Sequence, residues 1–265
     1  MTIPTKLLAL LRDPIGLEPL ELDDTALVNR ARQRRYPIVD CIPVLLDEAD
    51  LGPQNLKIRK MYKWMARGFD AFDRLANLIT RHALAKARRM MASRLALQPG
   101  NQCLYTSMGT GLDVPFLAEQ ISLNEIDLVG LDLSMEMLRK CQPKLRPYEA
   151  HSLLVQANAE RLPFADRSFD VVWHVGGINL FDRPAMAVQE MVRVARPGAL
   201  IMVVDETKDV IKRQYQRNPL TRAYCEDAST DFHPRNWVPA EVASSTYEEI
   251  LKGRIYLLSF RAPPR

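Results

Sequence analysis

Length, composition and charge exclude several classes of protein. The 265 residues leave room for one domain of about 200 residues and a small appendage. The 36 basic and 32 acidic residues give a net charge of +4, and no basic stripe with interleaved aromatic residues occurs, so a nucleic-acid partner is not expected. The four cysteines form no Cys-x-x-Cys pair and no cluster with histidine, so they indicate neither a disulfide framework nor a metal site: Cys41, Cys103, Cys141 and Cys225.

The first segment, Met1–Gly16, does not have the pattern of a targeting sequence. It contains a single early lysine, Lys6, and its apolar run is too short for a signal peptide or a membrane span. The expectation is therefore a cytoplasmic protein with no membrane partner.

Residues 1–50 are predicted to form a small module with a short strand near Leu20–Leu22. Its closing stretch, Tyr36-Pro-Ile-Val-Asp-Cys-Ile-Pro-Val-Leu-Leu, resembles the end of a small zinc-ribbon domain. The resemblance places paired cysteines in two knuckles, but the corresponding positions here carry residues without a thiolate. They lie near Asp13, Gly16, Asn29 and Arg32. The resemblance therefore implies a metal-free remnant that covers the next domain, and an unstructured leader is the alternative.

Residues 51–98 are predicted to be a helical lid or linker. Between Leu56 and Leu97, apolar residues recur at three- and four-residue spacing among good helix formers. Pro99-Gly100 ends this region. Its aromatic residues are concentrated in the first half: Tyr62, Trp64, Phe69 and Phe72.

Residues 99–265 are predicted to form a doubly wound α/β domain with a mostly parallel, seven-stranded sheet and an antiparallel last strand, because strands and helices alternate. The predicted elements are strand Gln102–Thr106, helix Leu112–Gln120, strand Ile126–Leu131, helix Met135–Leu145, strands Ser152–Gln156 and Val171–His174, helix Arg183–Val194, and strands Ala199–Val204, Val242–Glu249 and Arg254–Arg261. A polar, irregular segment near 207–240 follows a strand end, where substrate loops lie in such folds.

The stretch Asn101–Ser134 has the pattern of a nucleotide-binding β-α-β unit. Gly109 and Gly111 stand at the strand-to-helix corner, where glycine permits positive φ and lets a ligand approach the backbone. Asp132 ends the second strand about 20 residues later, the place of an acid that binds a ribose diol. The sequence therefore predicts a nucleoside site.

Four ordered blocks identify the nucleoside. They begin at Asp132 (DLSMEML), Gln156 (QANAERLPF), Ser168 (SFDVVWH) and Glu190 (EMVRVARPGA). In this order and spacing they resemble class I S-adenosylmethionine (SAM)-dependent methyltransferases of the ubiquinone/menaquinone branch, over roughly Lys57–Ala262. The resemblance implies a Rossmann-like fold, SAM as cofactor and a small-molecule acceptor.

The same resemblance assigns cofactor contacts. Asp132 and Leu133 are expected at the ribose, and Asn158 and Ala159 beside the adenine. The family usually has aspartate where this chain has Asn158, which is expected to accept a hydrogen bond from the adenine amino group.

The first glycine motif departs from the family pattern. Aligned with an acid followed by three spaced glycines, it carries Tyr105 in place of the acid and Ser107 in place of the first glycine. Since that acid holds the ammonium group of SAM in the family, the methionine end is expected to be held in a non-standard way. Tyr105 and Ser107 would line its space, and the aromatic residues of the helical region would shield the sulfonium by cation–π attraction worth about 0.5–2 kcal/mol. A place in the core is the alternative for each ring.

Few residues are candidates for chemistry, because methyl transfer depends largely on positioning. His174, at a strand end, is the candidate general base and a cofactor contact, with a hydrogen-bonded structural histidine as the alternative. Asn179 and Phe181 follow where the family lines the methyl side, and Tyr62 and Trp64 are candidates on the helical region. Asp205 and Glu206 would orient a substrate, or instead form a helix cap or a surface pair. Plausible substrate contacts in the irregular segment are Tyr215, Tyr224, His233 and Trp237.

Three functions are compatible with these residues. The first is a SAM-dependent methyltransferase acting on a small molecule in a biosynthetic pathway. The second is a SAM-consuming cyclase or lyase of the azetidine-2-carboxylate-forming type, in which the amine of SAM attacks its own γ-carbon and methylthioadenosine leaves. The third is an inactive SAM-fold binding protein.

Overall fold

The computed structural model describes residues 3–212 and 233–264. Its N-terminal elements are helix α1 (Thr5–Leu8), strands β1 (Glu21–Asp23), β2 (Ala26–Asn29), β3 (Arg34–Val39) and β4 (Ile42–Leu45), and helices α2 (Pro53–Met65), α3 (Phe69–Ile79) and α4 (Ala83–Arg94). The elements that follow are β5 (Gln102–Thr106), α5 (Val114–Ala118), β6 (Asp127–Asp132), α6 (Met135–Leu145), β7 (Ser152–Ala157), β8 (Phe169–Val175), α7 (Pro184–Val194), β9 (Ala195–Glu206), α8 (Lys208–Val210), β10 (Ser245–Ile250) and β11 (Ile255–Arg261). Short 3-10 turns lie at Glu48–Asp50, Arg146–His151, Ile178–Leu180 and Pro234–Trp237.

The eleven strands of the described residues belong to one sheet, in the order β1-β2-β3-β4-β7-β6-β5-β8-β9-β11-β10. From β4 to β9 the neighbouring strands are parallel. Strand β11 is antiparallel to both β9 and β10. The predicted α/β class, the seven-stranded core and its antiparallel last strand are confirmed. Predicted bounds differ most at β9, which begins four residues before the predicted Ala199.

The first 50 residues extend this sheet. Strand β4 pairs in parallel with β7, placing Val44 opposite Gln156 and Leu45 opposite Ala157. Without β4, strand β7 would be an edge strand with unpaired backbone N–H and C=O groups. Strand β4 forms backbone hydrogen bonds with these groups. The N-terminal segment is therefore joined to the nucleoside-binding domain through backbone hydrogen bonds.

A polar cluster lies where the zinc-ribbon resemblance placed the knuckles. The buried carboxylate of Asp13 accepts hydrogen bonds from the Ile15 amide at 2.8 Å, Asn29 Nδ2 at 2.7 Å and the Tyr36 hydroxyl at 3.0 Å. Arg34 lies 3.4 Å from it. Burial raises the pKa of Asp13, but the hydrogen bonds from Ile15, Asn29 and Tyr36 outweigh this, and the net pKa is lowered. Ionised Asp13 thus connects both knuckle positions.

The core lies on both faces of the sheet. Leu104 and Val172 point to the face covered by α7, and Cys103 and Trp173 to the face covered by α4, α5 and α6. Strands buried on both faces read as continuous apolar runs, as they do here. Within the described ranges, no helix is long and apolar enough to cross a bilayer.

The predicted helical region consists of three helices. A single helical pattern extends through it, but the chain turns at Gly68 and again at Arg81 and His82, whose φ values are +50° and +64°. Left-handed residues end a helix, so α3 and α4 can fold back on each other. Asp73 of α3 then forms an ion pair with Arg88 of α4 at 2.7 Å.

Candidate functional site

The glycine loop between β5 and α5 has left-handed backbone at both glycines. Gly109 and Gly111 have φ values of +58° and +71°. A Cβ atom on Gly111 would lie 2.6 Å from the sulfur of Cys141, so α6 packs directly against the loop there. A Cβ atom on Gly109 would meet nothing within 4 Å, which leaves open space in front of that backbone. Ser107, at the position of the missing first glycine, also has a left-handed φ of +60°.

Asp132 lies at the end of β6, opposite this loop. One carboxylate oxygen accepts from the Gly109 amide at 2.7 Å, and the other accepts from the Ser134 amide at 2.9 Å. Burial raises the pKa of Asp132 to about 6, although these backbone hydrogen bonds lower it in part. Leu133, expected at the ribose, is half-buried, and its carbonyl accepts from Gln156 at 3.0 Å.

Asn158 and Ala159 follow β7, next to Asp132 in the sheet, and both are buried. The Oδ1 atom of Asn158 accepts from the Glu160 amide at 3.0 Å. Its Nδ2 atom is buried and has no hydrogen-bond partner among the described residues. The expected acceptor for the adenine amino group, Oδ1, thus already accepts one hydrogen bond and has one lone pair left. The unpartnered Nδ2 group is a donor, which suits a ring nitrogen of adenine.

Helix α3 covers the glycine loop. Asp70 accepts hydrogen bonds from the Thr110 hydroxyl at 2.5 Å and from Lys144 at 2.8 Å, and Lys144 also donates to the Thr110 carbonyl at 2.6 Å. Burial raises the pKa of Asp70, but Lys144 and Thr110 lower it further than that, so the net pKa is lowered and the carboxylate is ionised. A carboxylate thus lies against the loop although the family acid is absent.

Tyr105 is placed in the core rather than in the space above the loop. Its ring packs on Trp173 with centroids 5.1 Å apart, and its hydroxyl donates to Asp113. Asp113 in turn forms an ion pair with Arg88 at 3.1 Å. Side chains of a buried strand alternate between the two sheet faces, and Tyr105 points to the face covered by α4, α5 and α6. The structure therefore does not bring the tyrosine to the expected methionine end.

Of the aromatic residues in the helical region, some point towards the end of β8 and others towards solvent. Tyr62 contacts Phe69, and its hydroxyl lies 3.8 Å from the position that a Cβ atom on Gly177 would occupy, beside the end of β8. Trp64 and Phe72 point outward, with 82% and 69% of their surface exposed. Residues two apart on a helix face nearly opposite directions, so Tyr62 and Trp64 cannot both cover the site. The expected role of Trp64 is corrected on this ground.

His174 is buried at the end of β8, and its protonation differs from the expectation. Burial lowers the pKa of His174 to about 3, so the ring is neutral near pH 7 rather than titrating there. Thr106 donates its hydroxyl proton to the Trp173 carbonyl, so it accepts from Nδ1 of His174, 3.1 Å away. The Nε2 atom, which then carries a lone pair, has no partner within the described chain. Phe181 contacts the ring edge to face at 5.4 Å.

The side chain of Asn179 binds two neighbouring strands, β9 and β11. Its amide nitrogen donates to the Glu206 carbonyl at 2.7 Å, and its Oδ1 accepts from the Tyr256 hydroxyl at 3.1 Å. Asp205 accepts from the backbone amides of Asn179 and Glu206, and burial raises the pKa of Asp205 to about 6. Asp205 thus holds this turn through backbone amides, and the side chain of Asn179 retains the capacity for one further donated and one further accepted hydrogen bond.

The irregular segment is described only at its ends. Tyr215 and Tyr224 lie outside the described residues. Trp237 is buried in the core cluster, and His233 stacks on Tyr247 with ring centroids 4.9 Å apart. These two residues are therefore engaged with the body of the protein.

Two acids whose roles the sequence did not indicate, Asp182 and Glu160, hold the start of α2 in place. Asp182 accepts from the Gln54 and Asn55 amides at 3.0 and 2.9 Å, and Glu160 accepts from Asn55 Nδ2 at 2.9 Å and from Arg183 at 2.9 Å. Glu160 was visible only as part of the block beginning at Gln156, without a role. Its partners are more than 20 residues away in sequence, so no local pattern could identify them.

A cleft lies between the end of α2 and the start of α6, just past Asp132. Its volume is about 550 Å³. Four of its six lining residues are basic, Lys63, Arg67, Arg139 and Lys140, and the other two are Ala66 and Glu136. Arg139 forms an ion pair with Asp40 at 2.8 Å. The cleft is thus cationic, and one of its walls is α6, which begins three residues after Asp132. Among the described residues, no group of three His, Cys, Asp or Glu side chains could hold a metal ion.

Comparison with known proteins agrees with this geometry. A family model described as a methyltransferase domain matches residues 104–203. The chain is 32% identical over 171 residues to the ubiquinone/menaquinone biosynthesis C-methyltransferase UbiE of Syntrophotalea carbinolica, covering 62% of this chain and 70% of that protein. It is 29% identical over 153 residues to a demethylmenaquinone methyltransferase of Listeria welshimeri, covering 57% and 64%.

A solved structure supports the fold. The cyclase SpnF superposes with a TM-score of 0.57 at 15% identity, covering 81% of this chain and 99% of that one. At this identity the likeness concerns the fold alone.

Proposed function

The chain belongs to the SAM-dependent methyltransferases of the ubiquinone/menaquinone type, and from that premise we propose that it methylates a small-molecule acceptor, a hydroquinone or phenol, in a biosynthetic pathway. The observation that carries the proposal is the cradle formed at three neighbouring strand ends. It consists of the glycine loop after β5, Asp132 at the end of β6 and Asn158 after β7, in adjacent strands. Two of the relatives carry names that refer to quinones.

The residues present fit SAM. Space is open in front of Gly109, the carboxylate of Asp132 faces this loop, and Asn158 has a buried donor without a partner in the described chain. A buried orphaned donor is costly, about 1–3 kcal/mol, and an adenine ring nitrogen would satisfy it. Asp132 would hold the ribose, Asn158 the adenine, and Asp70 beside Thr110 the ammonium group in place of the missing family acid.

When bound, SAM supplies an electrophilic methyl group on a sulfonium. This chain's own residues position the acceptor and exclude water. We assign Tyr62 to cover the site from α2, and neutral His174 to accept a hydrogen bond from the acceptor through Nε2. A group with a pKa of about 3 is a poor proton acceptor at neutral pH. His174 is therefore an orienting residue in this proposal, and the acceptor must react in an already ionised form or lose its proton elsewhere.

The lyase alternative began from the absence of a carboxylate near the methionine end. Asp70 accepts from Thr110, so a carboxylate lies beside the glycine loop, where this proposal puts the methionine end of SAM. An ammonium group held by an anion stays protonated and cannot act as a nucleophile. We therefore keep methyl transfer as the single proposal.

One experiment tests it. Purified protein is incubated with SAM carrying a labelled methyl group, with and without short-chain hydroquinones and phenols, and the products are separated by mass. Labelled acceptor together with S-adenosylhomocysteine is the expected result, and Asp132→Ala should abolish most of it. Methylthioadenosine formed without any acceptor would establish the lyase instead. Tight SAM binding with neither product across the panel would argue for the inactive binding protein.

A further inference from the structure

Helix α3 turns its polar face towards the protein. Asp70 binds Thr110 and Lys144, and Asp73 binds Arg88 with two hydrogen bonds of 2.7 and 3.0 Å. Asn77 accepts from the Ala85 amide at 3.0 Å. An ordinary surface helix packs its apolar face on the core and turns its charges to water. In α3 this arrangement is inverted, and none of its residues is buried.

The apolar face of α3 is turned to the outside. Its large side chains follow helical spacing and are mostly exposed: Phe72 69%, Leu75 57%, Leu78 65% and Ile79 73%. Trp64, at the end of α2, adds the most exposed aromatic side chain of this region. Single exposed apolar residues are ordinary, but a contiguous set on one helix marks an interaction surface. We call these five residues the α3 face.

The helical region that carries the α3 face is rich in basic residues. Residues 53–94 contain eleven lysines and arginines, of which Arg59, Arg89 and Arg94 pair with acids outside this range. The range itself holds only two acidic residues, Asp70 and Asp73. Both acids lie on the inward side and are paired. Lys60, Arg74 and Arg81 are exposed and have no ion pair within the described ranges. The helical region therefore carries an excess of positive charge that the small net charge of the whole chain does not reveal.

The exposed apolar side chains and the positive charge together distinguish between three possible partners of the α3 face. A second copy of the chain would bring the same positive charges against each other, which disfavours a symmetric dimer through this surface. Nucleic acid would satisfy the charges but not the exposed Phe, Leu and Ile side chains. A bilayer with anionic headgroups satisfies both, because apolar side chains enter the acyl boundary while lysine and arginine contact phosphates.

We propose that the α3 face docks on the surface of an anionic lipid membrane, with α3 lying in the plane of the interface. This departs from the sequence expectation of no membrane partner, which considered spans and leaders but not a helix lying on a bilayer. Asp70 ties α3 to the glycine loop, so docking places the cradle close to the lipid surface. The proposal is independent of the acceptor's identity.

The test is co-sedimentation of the full chain with large vesicles. Wild type should pellet with vesicles of equal parts phosphatidylglycerol and phosphatidylcholine, and much less with phosphatidylcholine alone or at high salt. The variant Phe72→Ser/Leu75→Ser/Ile79→Ser should bind the anionic vesicles about tenfold more weakly or worse. The matched control is Leu22→Ser, which removes an exposed leucine from β1 and should bind like wild type.

Folding is checked separately, since a collapsed variant would mimic lost binding. Circular dichroism and calorimetric SAM affinity should be unchanged in the triple variant, and Arg74→Glu/Arg81→Glu should reduce vesicle binding without altering either. Wild type that stays in the supernatant with anionic vesicles would overturn the proposal. So would equal binding by wild type and the triple variant. Light scattering that shows a dimer dissolved by the triple variant, without vesicle binding, would assign the face to a second copy.

Discussion

The carboxylate of Asp132 accepts a hydrogen bond from the backbone amide of Gly109 at 2.7 Å. This contact joins the end of β6 to the glycine loop, so the two halves of the nucleoside cradle are held in register before a ligand arrives. Pre-organisation of this kind lowers the cost of ordering the loop on binding.

The first prediction concerns the pH dependence of SAM binding. Burial raises the pKa of Asp132 to about 6, so the ribose acceptor is ionised above that pH and protonated below it. SAM affinity measured by calorimetry should therefore fall by up to about tenfold per pH unit below 6. Asp132→Asn should bind weakly at every pH, with no such slope. Asp205→Asn, which removes another buried acid of raised pKa, should keep the slope; a flat wild-type curve would contradict the role of Asp132.

The second prediction concerns Ser107, which has a left-handed φ of +60° at the position of a family glycine. A side chain in that conformation costs about 1–2 kcal/mol, of which the greater freedom of unfolded glycine cancels a part. Ser107→Gly should raise the free energy of unfolding by about 0.5–1 kcal/mol in chemical denaturation. Ser107→Ala keeps the Cβ atom and should not stabilise. Equal effects of the two substitutions would show that the strain lies elsewhere.

How far the sequence predicts this molecule depends on the range of the interaction involved. The succession of strands and helices beyond β5 and the glycine loop follow from local patterns, because apolar runs, glycines and Asp132 lie close together in sequence. The pairing of β4 with β7 joins residues about 110 positions apart, and no periodicity indicates it. The inversion of α3 was likewise invisible, since its helical pattern is the same whichever face is buried.

The sequence also did not predict the protonation state of His174 or the placement of Tyr105. His174 was expected to titrate near neutrality because unperturbed histidine does so. Its actual state depends on complete burial beside Phe181, which only the packed structure determines. Tyr105 was misplaced for a related reason, since its partner Asp113 lies beyond the loop and the sheet face it points to was unknown.

The third prediction tests the neutral state of His174 without an acceptor. The unfolded ring takes up a proton below about pH 6.5, whereas the folded ring resists protonation down to about pH 3. Wild type should therefore lose stability as pH falls from 6.5 towards 3, by about 3 kcal/mol at pH 4.5 from this group. His174→Gln lacks that loss, so its unfolding free energy should change less between pH 7.5 and 4.5. Parallel curves would mean that the folded histidine titrates normally.

The fourth prediction separates the two aromatic residues of α2. Tyr62 lies beside Gly177 at the end of β8, whereas Trp64 points away from the body of the protein. Tyr62→Ala should weaken calorimetric SAM affinity by about 2- to 30-fold if its ring covers the sulfonium. Trp64→Ala should leave that affinity within about twofold, since an exposed ring contributes little. A larger loss of SAM affinity in Trp64→Ala than in Tyr62→Ala would indicate that Trp64, and not Tyr62, covers the site.

The fifth prediction concerns the N-terminal region, where Asp13 occupies a position that the zinc-ribbon resemblance gives to a cysteine. We expect that hydrogen bonds replace the metal, so purified protein should contain no stoichiometric zinc and its melting temperature should not change with chelator. Asp13→Asn would leave the donors of Ile15, Asn29 and Tyr36 with a poorer acceptor and should lower the free energy of unfolding by about 1.5–3 kcal/mol. The lowered pKa of Asp13 adds a pH signature, because its contribution is present above the unfolded value of 3.8 and is lost only as pH falls through the lower folded pKa.

The matched control for that variant is Asp23→Asn, which removes a carboxylate from an exposed pair with Arg35 in the same region. An exposed ion pair contributes little, so its effect should stay within about 0.5 kcal/mol. Chemical denaturation of both variants and metal analysis of wild type complete the measurement. Stoichiometric zinc would refute metal-free folding of this region. Equal destabilisation by the two substitutions would show that Asp13 does not organise it, because burial and three donors distinguish Asp13 from an ordinary surface acid.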